Sequence, residues 1–554
     1  MVRIRRLVYA VLIVALASTA FARTAAAAAK VVLPVLCWHD IRDASSLPRA
    51  GDNDLTTVST RDLVSQFEMI RVLGYTPISL SQWQAAVDGR GTLPTKPVLL
   101  SFDDGFKSLY TRVFPLLKMY RYPALASIVT EWMEQDGTQA NSLVSWDELR
   151  EMSASGLLEV ASHTHAMHGG VIANPQGNEL PAGSSRIYAN GTYETDGEYQ
   201  ARLLADLEVS KRVIQQHMGS PIRTLVWPYG EYSQSASGVA RRAGFTFALG
   251  LSPGVNTTST SLMELKRTQV LGHQGLSDIL RALQAVPQDY ANSLGTLRTL
   301  SISLDDVYHP VAELQELRLA NLLETVRRIG VNTVIVRAWS ETADADGSRQ
   351  FYFPSRSLPM KADLLSRATW QLRHRSEVQA WVEWPALQRE GFEDLGKHVS
   401  MSGLVLQLSS ATHEEQHYPL ADLETRLQQA RGWRPDLVTA VALQIEGDHK
   451  PGLSLMNQSI NSDFLIMRGS PDDLVVAALP TSQGQRPSLS DARRRLDDRV
   501  ILEATSASSK TLDVLLGTGV RHIGYQAVQT ADLNTRVELL WPRLSTATLR
   551  RPRQ

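Results

Sequence analysis

From Val31 to about Leu283, short apolar runs alternate with amphipathic stretches, and this alternation limits the fold more than any other feature of the chain. Val31 to Trp38, Val98 to Phe102, Ala124 to Val129, Leu158 to Ser162, Leu225 to Pro228 and Thr246 to Leu249 have the length and apolar content of buried strands. Leu63 to Leu73, Leu109 to Tyr120, Trp146 to Ser155, Tyr199 to His217 and Ser235 to Ala243 carry the helical period between them. Gly74, Gly156 and Gly244 stand just after three of those helices, where a left-handed cap favours glycine. The pattern predicts an α/β fold built on a parallel sheet or barrel, with function at the C-terminal strand ends.

Residues 286–296 break the pattern and read as a linker, and a second α/β run follows over residues 297–544. Its expected strands are Leu297 to Leu304, Thr333 to Trp339, Glu377 to Trp384, Gly403 to Leu408, Leu437 to Gln444, Phe464 to Met467, Val500 to Glu503 and His522 to Tyr525. A helix from Val311 to Ile329 separates the first two. Residues 545–554 form a basic tail expected to be disordered. Two domains suit 554 residues, too many for one ordinary core.

A net charge of −1 supplies no field that would draw in nucleic acid. The single cysteine, Cys37, excludes an intramolecular disulfide and a cysteine metal cluster. Arg3, Arg5 and Arg6 precede an apolar run from Leu7 to Ala20, and Ala20-Phe21-Ala22 offers the small residues of a cleavage site. Residues 1–22 therefore read as a cleaved signal peptide and the mature protein as periplasmic, with no transmembrane segment. Cys37 lies past the apolar run inside an expected strand, which argues against a lipoprotein.

The chemistry concentrates at Ser101-Phe102-Asp103-Asp104-Gly105, where an apolar strand ends in two carboxylates. About sixty residues later comes His163-Thr164-His165-Ala166-Met167-His168. Adjacent strand residues point to opposite sides, so Asp103 and Asp104 can take different tasks. His163 and His168 would diverge on a helix but can converge on a loop; two imidazoles and one carboxylate form a set that leaves positions open for water. The second carboxylate, within reach of that water, can serve as a base. Residues Gly169 to Gly197 are polar and lack periodicity, so a long loop is expected directly after the histidines, as a wall of the site.

These residues, in this order, resemble the polysaccharide deacetylases of carbohydrate esterase family 4 over roughly Val31 to Leu283, and Trp227-Pro228-Tyr229-Gly230 resembles that family's Pro-Tyr-Gly motif. The five-residue histidine spacing, Leu36-Cys37-Trp38-His39-Asp40 and the run from Phe353 to Asp363 are similar to the exported poly-β-1,6-N-acetylglucosamine N-deacetylases of biofilm systems. The resemblance implies a (β/α) barrel of polysaccharide-deacetylase type over residues 31–285. It implies that Asp104, His163 and His168 bind one divalent metal ion, and that Asp103 is the base that activates water. Zinc is the expected ion, with nickel, cobalt and iron compatible with the same donors. It further implies that the backbone N–H of Tyr229 helps stabilise the tetrahedral oxyanion, and that His39 protonates the leaving nitrogen. His273, in Leu271-Gly272-His273, resembles the acid of the wider family and stays open as the alternative.

The implied substrate is an acetylated glucosamine polymer, and the implied partner is an outer-membrane export porin. Chitin oligomers or peptidoglycan remain alternative substrates. A non-catalytic glycan-binding export factor is the alternative of another class, opposed by the complete Asp-Asp-His-His set. The second run resembles the C-terminal glycoside-hydrolase-like barrel of the same proteins, shortened after Trp384. After Gly403-Leu404-Val405-Leu406 the family carries an acidic pair, where this chain reads Gln407-Leu408-Ser409-Ser410. Cleavage of a glycosidic bond normally needs a carboxylic acid and a second assisting group. Asp305, Asp306, Glu341 and Glu383 remain at expected strand ends, so the expectation is a barrel that binds glycan without cutting it. Trp339, Trp381 and Trp384 are its candidate stacking residues.

Overall fold

The computed structural model describes residues 31–43, 55–134, 142–252, 254–286, 294–408, 420–434, 437–445, 462–470, 473–474, 499–506, 508–517, 520–527 and 529–546. The expected signal peptide at 1–22, linker residues 287–293, Ser409-Ser410 and tail residues 547–554 lie outside the described residues.

In the N-terminal part, six parallel strands follow one another in space as they do in sequence. They are β1 (Val32–Trp38), β2 (Pro97–Phe102), β3 (Ala124–Ile128), β4 (Leu158–Ser162), β5 (Thr224–Val226) and β6 (Phe247–Leu249). The sheet order is β6-β5-β4-β3-β2-β1, and β7 (Val255–Thr257) pairs antiparallel with the free side of β1. This is the strand order of a (β/α) barrel; Thr268–Gln269 also pairs parallel with β1, and just before it Leu265 bridges Leu249 of β6. All six residues of β2 are buried, as expected of a parallel strand covered on both faces.

Helix starts are locally encoded. Ser59, Ser79, Ser145 and Ser233 each accept an N–H bond from the residue three positions on, capping the helices that begin at Thr60, Leu80, Trp146 and Gln234. The helix expected over Leu109–Tyr120 divides into a wide π turn, Leu109–Val113, and an α-helix, Phe114–Tyr120. Pro115 has no N–H to give to the preceding turn, which accounts for the change of pitch there. The segment expected as a structureless loop also differs. Gly170–Ile172 pairs with Glu179–Pro181, and Tyr188–Ala189 pairs with Thr192–Tyr193 around an Asn190-Gly191 turn. Both turn residues have positive φ, 53° and 79°, the conformation for which Asn-Gly is favoured.

The C-terminal part is a closed barrel of eight parallel strands: β8 (Arg298–Ile302), β9 (Thr333–Arg337), β10 (Gln379–Pro385), β11 (Gly403–Gln407), β12 (Val438–Gln444), β13 (Phe464–Gly469), β14 (Val500–Ala504) and β15 (His522–Gln526). β15 pairs with β8 and closes the ring. Its interior is partly ionic. Arg468 bridges Glu383 and Glu503, all three at most 1% exposed, and Ser301 donates to Glu503 at 2.9 Å. The shortening after Trp384 thus leaves the strand count intact.

By internal packing the chain forms two compact units. One comprises residues up to Ala166 with Leu207–Gly230 and Gly244–Pro287; the other comprises Met167–Asp206, Glu231–Ala243 and Gln288 onward. Within the second, Asn174 donates to the Asp363 carbonyl at 3.1 Å, and the Tyr193 hydroxyl donates to the Asp363 carboxyl at 3.3 Å. Among the described residues no helix is long and apolar enough to cross a membrane.

Candidate metal and active site

Strand β2 ends at Phe102, and the Asp103 N–H still donates to the Trp38 carbonyl of β1 at 2.9 Å. Asp103 therefore stays in strand register while the chain turns sharply after it. Asp104 and Gly105 both adopt φ 72°, and a Cβ on Gly105 would meet Ile128 Cδ1 at 3.0 Å. That turn separates the two carboxylates. Just past β4, His163 follows Ser162 and is followed by Thr164 at φ 70°. Tyr229, in the turn Pro228–Gly230 after β5, has φ 58°. Three non-glycine residues in the left-handed region thus fall just past the ends of β2, β4 and β5, a concentration of backbone strain typical of functional sites.

Asp104, His163 and His168 each present a ligand atom, and these atoms lie within 4.8 Å of one another. His163 Nε2 lies 3.3 Å from Asp104 Oδ1, while its Nδ1 meets the Val226 carbonyl at 2.8 Å. The carbonyl takes the Nδ1 proton and leaves the Nε2 lone pair facing the carboxylate, the tautomer a metal ligand needs. Burial disfavours the His163 imidazolium, but Asp104 and Asp103 outweigh it and raise the pKa. Two imidazoles and a carboxylate converging on one position fit a divalent ion of the zinc type.

Asp103 is 3% exposed and belongs to a different set of contacts. Arg267 Nη1 donates to both carboxylate oxygens, at 2.8 and 2.9 Å, and Ser127 Oγ donates to Oδ1 at 2.8 Å. Burial pushes the Asp103 pKa up, but Arg267, His163 and His39 more than reverse it and hold the carboxyl well below the usual range. His39 is half-buried and its ligand atom lies within 4.8 Å of those of Asp103 and Cys37. Among the described residues, none gives the buried His39 Nδ1 a hydrogen bond. His273 is exposed and belongs to neither cluster. The Cys37 thiol, raised well above its ordinary pKa by burial, lies 3.4 Å from Asp103 Oδ2. No motif in the sequence marks Arg267. It lies 164 residues from Asp103 in a Lys266-Arg267 pair that reads as solvated surface, yet it is fully buried.

Residues 90–248 match the family described as Polysaccharide deacetylase, and residues 301–430 match one described as Hypothetical glycosyl hydrolase family 13. The poly-beta-1,6-N-acetyl-D-glucosamine N-deacetylase of Escherichia coli (strain K12) is 30% identical over 414 residues, covering 71% of this chain and 58% of that protein. The BpsB deacetylase domain from Bordetella bronchiseptica is 42% identical, with 43% of this chain and 95% of that one covered and a TM-score of 0.39. The chain belongs to the polysaccharide deacetylase family. A de-N-acetylase from Aggregatibacter actinomycetemcomitans is 34% identical over 45% of this chain and 99% of its own, with a TM-score of 0.43. The chain spans 58% of the length of its Escherichia coli relative.

Beyond the deacetylase domain, the tryptophans expected to stack on glycan need correction. Trp381 and Trp384 are fully buried. Trp381 packs on Phe464 and lies so close to Gly403 that a Cβ there would meet its ring at 2.6 Å. Trp384 is enclosed by Phe351, Phe353 and Phe392. Neither has a face to offer a sugar. Trp339 is 8% exposed, with the Arg337 and Arg349 guanidinium groups 5.4 and 5.3 Å from its ring centre. Of the strand-end carboxylates, Glu383 pairs with Arg468 and Arg337, and Glu341 pairs with Arg337. Asp305 accepts from Ser340, from Tyr352 at 2.8 Å and from Lys361 at 3.3 Å.

Proposed function

We propose that the protein is an exported, metal-dependent hydrolase that removes N-acetyl groups from poly-β-1,6-N-acetyl-D-glucosamine during export of the polymer. The observation that carries this reading is the pairing of two carboxylates with separate duties: Asp104 with two histidines, Asp103 with a buried arginine. The name of the Escherichia coli relative supports the choice of polymer.

Asp104, His163 and His168 would hold the ion, zinc in this reading, which when bound supplies Lewis-acid activation of the water and the acetyl oxygen. Asp103, kept ionised by Arg267, takes the proton of the attacking water. Because Arg267 also makes Asp103 a weak base, the water must be acidified for the transfer to proceed. The Tyr229 N–H donates to the developing oxyanion. His39, beside Asp103, delivers a proton to the departing glucosamine nitrogen; its place in that cluster favours it over exposed His273.

The leader at residues 1–22 sends the chain to the periplasm, where an outer-membrane porin would receive its product. The C-terminal barrel binds glycan near Trp339 without cutting it, since Gln407 and Leu408 stand where an acidic pair would be and Glu383 is committed to arginines. Chelation followed by add-back of single divalent ions tests the central step. Turnover should vanish and return with zinc; turnover that persists in metal-free protein would refute the reading.

A further inference from the structure

The turn that carries Tyr229 is held in an unusual way. Tyr229 and Gly230 are consecutive residues in the left-handed region, φ 58° and 68°. For a residue with a Cβ such a conformation persists only where its surroundings over-determine it. One constraint lies at Gly230, where an added Cβ would approach the Leu251 backbone nitrogen to 2.5 Å. The other lies at the next residue, Glu231, which is 1% exposed.

Glu231 Oε2 accepts from Ser400 Oγ at 2.8 Å and from Arg434 Nη1 at 3.2 Å, and its Oε1 lies 2.5 Å from Arg373 Nη1. Arg373 also donates to Ser400 Oγ at 2.8 Å, so the partners hold one another. Three residues on, the Gln234 N–H donates to the carbonyl of Trp433, the neighbour of Arg434, at 3.0 Å. Ser400 is 169 residues from Glu231 and Arg434 is 203, so the clamp is no local turn device. Burial would raise the Glu231 pKa, but Arg373 and Arg434 outweigh it and hold the carboxyl far below the usual range. A carboxylate so committed to two arginines and a hydroxyl is unsuited to acid or base work. What it can do is fix the backbone two residues past Tyr229.

We propose that Glu231, clamped by Arg373, Arg434 and Ser400, is a positioning residue that sets the Pro228–Gly230 turn and with it the Tyr229 N–H presented to the oxyanion. The inference rests on the deacetylase reading. Donors aimed at an oxyanion act only from the right position, so a displaced turn lowers kcat while leaving the metal ligands and the substrate contacts in place.

The test uses the full chain with a soluble acetylated β-1,6-glucosamine oligomer, reading kcat, KM and bound metal for Glu231→Gln, Arg434→Met, Arg434→Lys and Ser400→Ala. Arg434→Met and Glu231→Gln should lower kcat by about tenfold to a hundredfold, with KM and metal content within about twofold of wild type. Arg434→Lys should recover part of the loss. Should Glu231→Gln fail to fold, Arg434→Met and Ser400→Ala decide, because each leaves the carboxylate two of its three partners. An active wild type alongside a folded Arg434→Met protein of unchanged kcat refutes the inference alone. A wild type that releases no amine refutes the deacetylase reading and the inference with it.

Discussion

Replacing Arg267 by Met separates the account's electrostatics from its geometry. The variant loses two contacts to Asp103, at 2.8 and 2.9 Å, one to Ser101 Oγ at 2.9 Å and one to the Gly250 carbonyl at 2.8 Å. Asp103 stays buried with Ser127 as its closest donor. Removing one partner of a buried pair costs about 3–5 kcal/mol, because the remaining charge is uncompensated. With the guanidinium gone, burial is opposed only by the weaker partners, so the Asp103 carboxyl moves up in pKa. The sign follows from linkage. In the wild type the depressed pKa contributes stability above the unfolded-state value of about 3.9, and this is lost only as pH falls through the folded value. In the variant the carboxyl protonates earlier, so the stability gap between the two proteins is widest at pH 7–8 and narrows towards pH 4. The acid limb of kcat should move up in pH in the same direction. Urea unfolding at both pH values and a pH–rate profile measure these effects. Equal stability at pH 7.5, or an acid limb that stays in place, would refute the claim that Arg267 holds Asp103 ionised.

Asp104→Ala should abolish metal binding and turnover, whereas Asp103→Asn should abolish turnover with metal retained; metal analysis of both variants shows whether the two roles have been assigned the right way round. Burial pushes Asp363 up to about 8, against a weaker opposing hydrogen bond from Tyr193, so its native state holds a proton that the unfolded chain releases above about pH 4. Stability should fall as pH rises from 4 to 8, and Asp363→Asn, which still accepts from Tyr193, should stabilise the protein by about 1–3 kcal/mol at pH 8 and little at pH 4, read by denaturant titration. Trp381→Ala should cost about 3–5 kcal/mol by leaving a cavity beside Phe464, read by denaturant titration, while Trp339→Ala, at a ring only 8% exposed, should destabilise the fold as well and weaken retention on acetylated polymer more than Trp381→Ala does, measured by affinity electrophoresis.

The strands were legible because parallel sheets bury both faces, so each strand is a short apolar run that periodicity finds. All eight barrel strands, Arg298–Ile302 to His522–Gln526, fall within two residues of runs visible in the sequence. The convergence of Asp104 with His163 and His168 was legible for a related reason, since strand ends in such a sheet share one edge. What stayed hidden depends on contacts distant in sequence. Nothing near Arg267 marks it as the partner of Asp103, and Glu231 reads as an ordinary turn residue until Arg373 and Arg434 close on it. Trp381 and Trp384 misled for the opposite reason: a tryptophan near a strand end has the same letter whether its ring faces a groove or Phe464. The Asn190-Gly191 hairpin carried a usable signal, overlooked within a polar segment.

In the proposed function this chain hydrolyses N-acetyl groups of the polymer and leaves its backbone whole. Incubating the purified protein with fully acetylated poly-β-1,6-N-acetylglucosamine, and reading free amines and chain length from the same sample, tests both halves at once. Amines that accumulate at constant chain length are the predicted result; shortened chains, or an absence of amines in zinc-loaded protein, would contradict it.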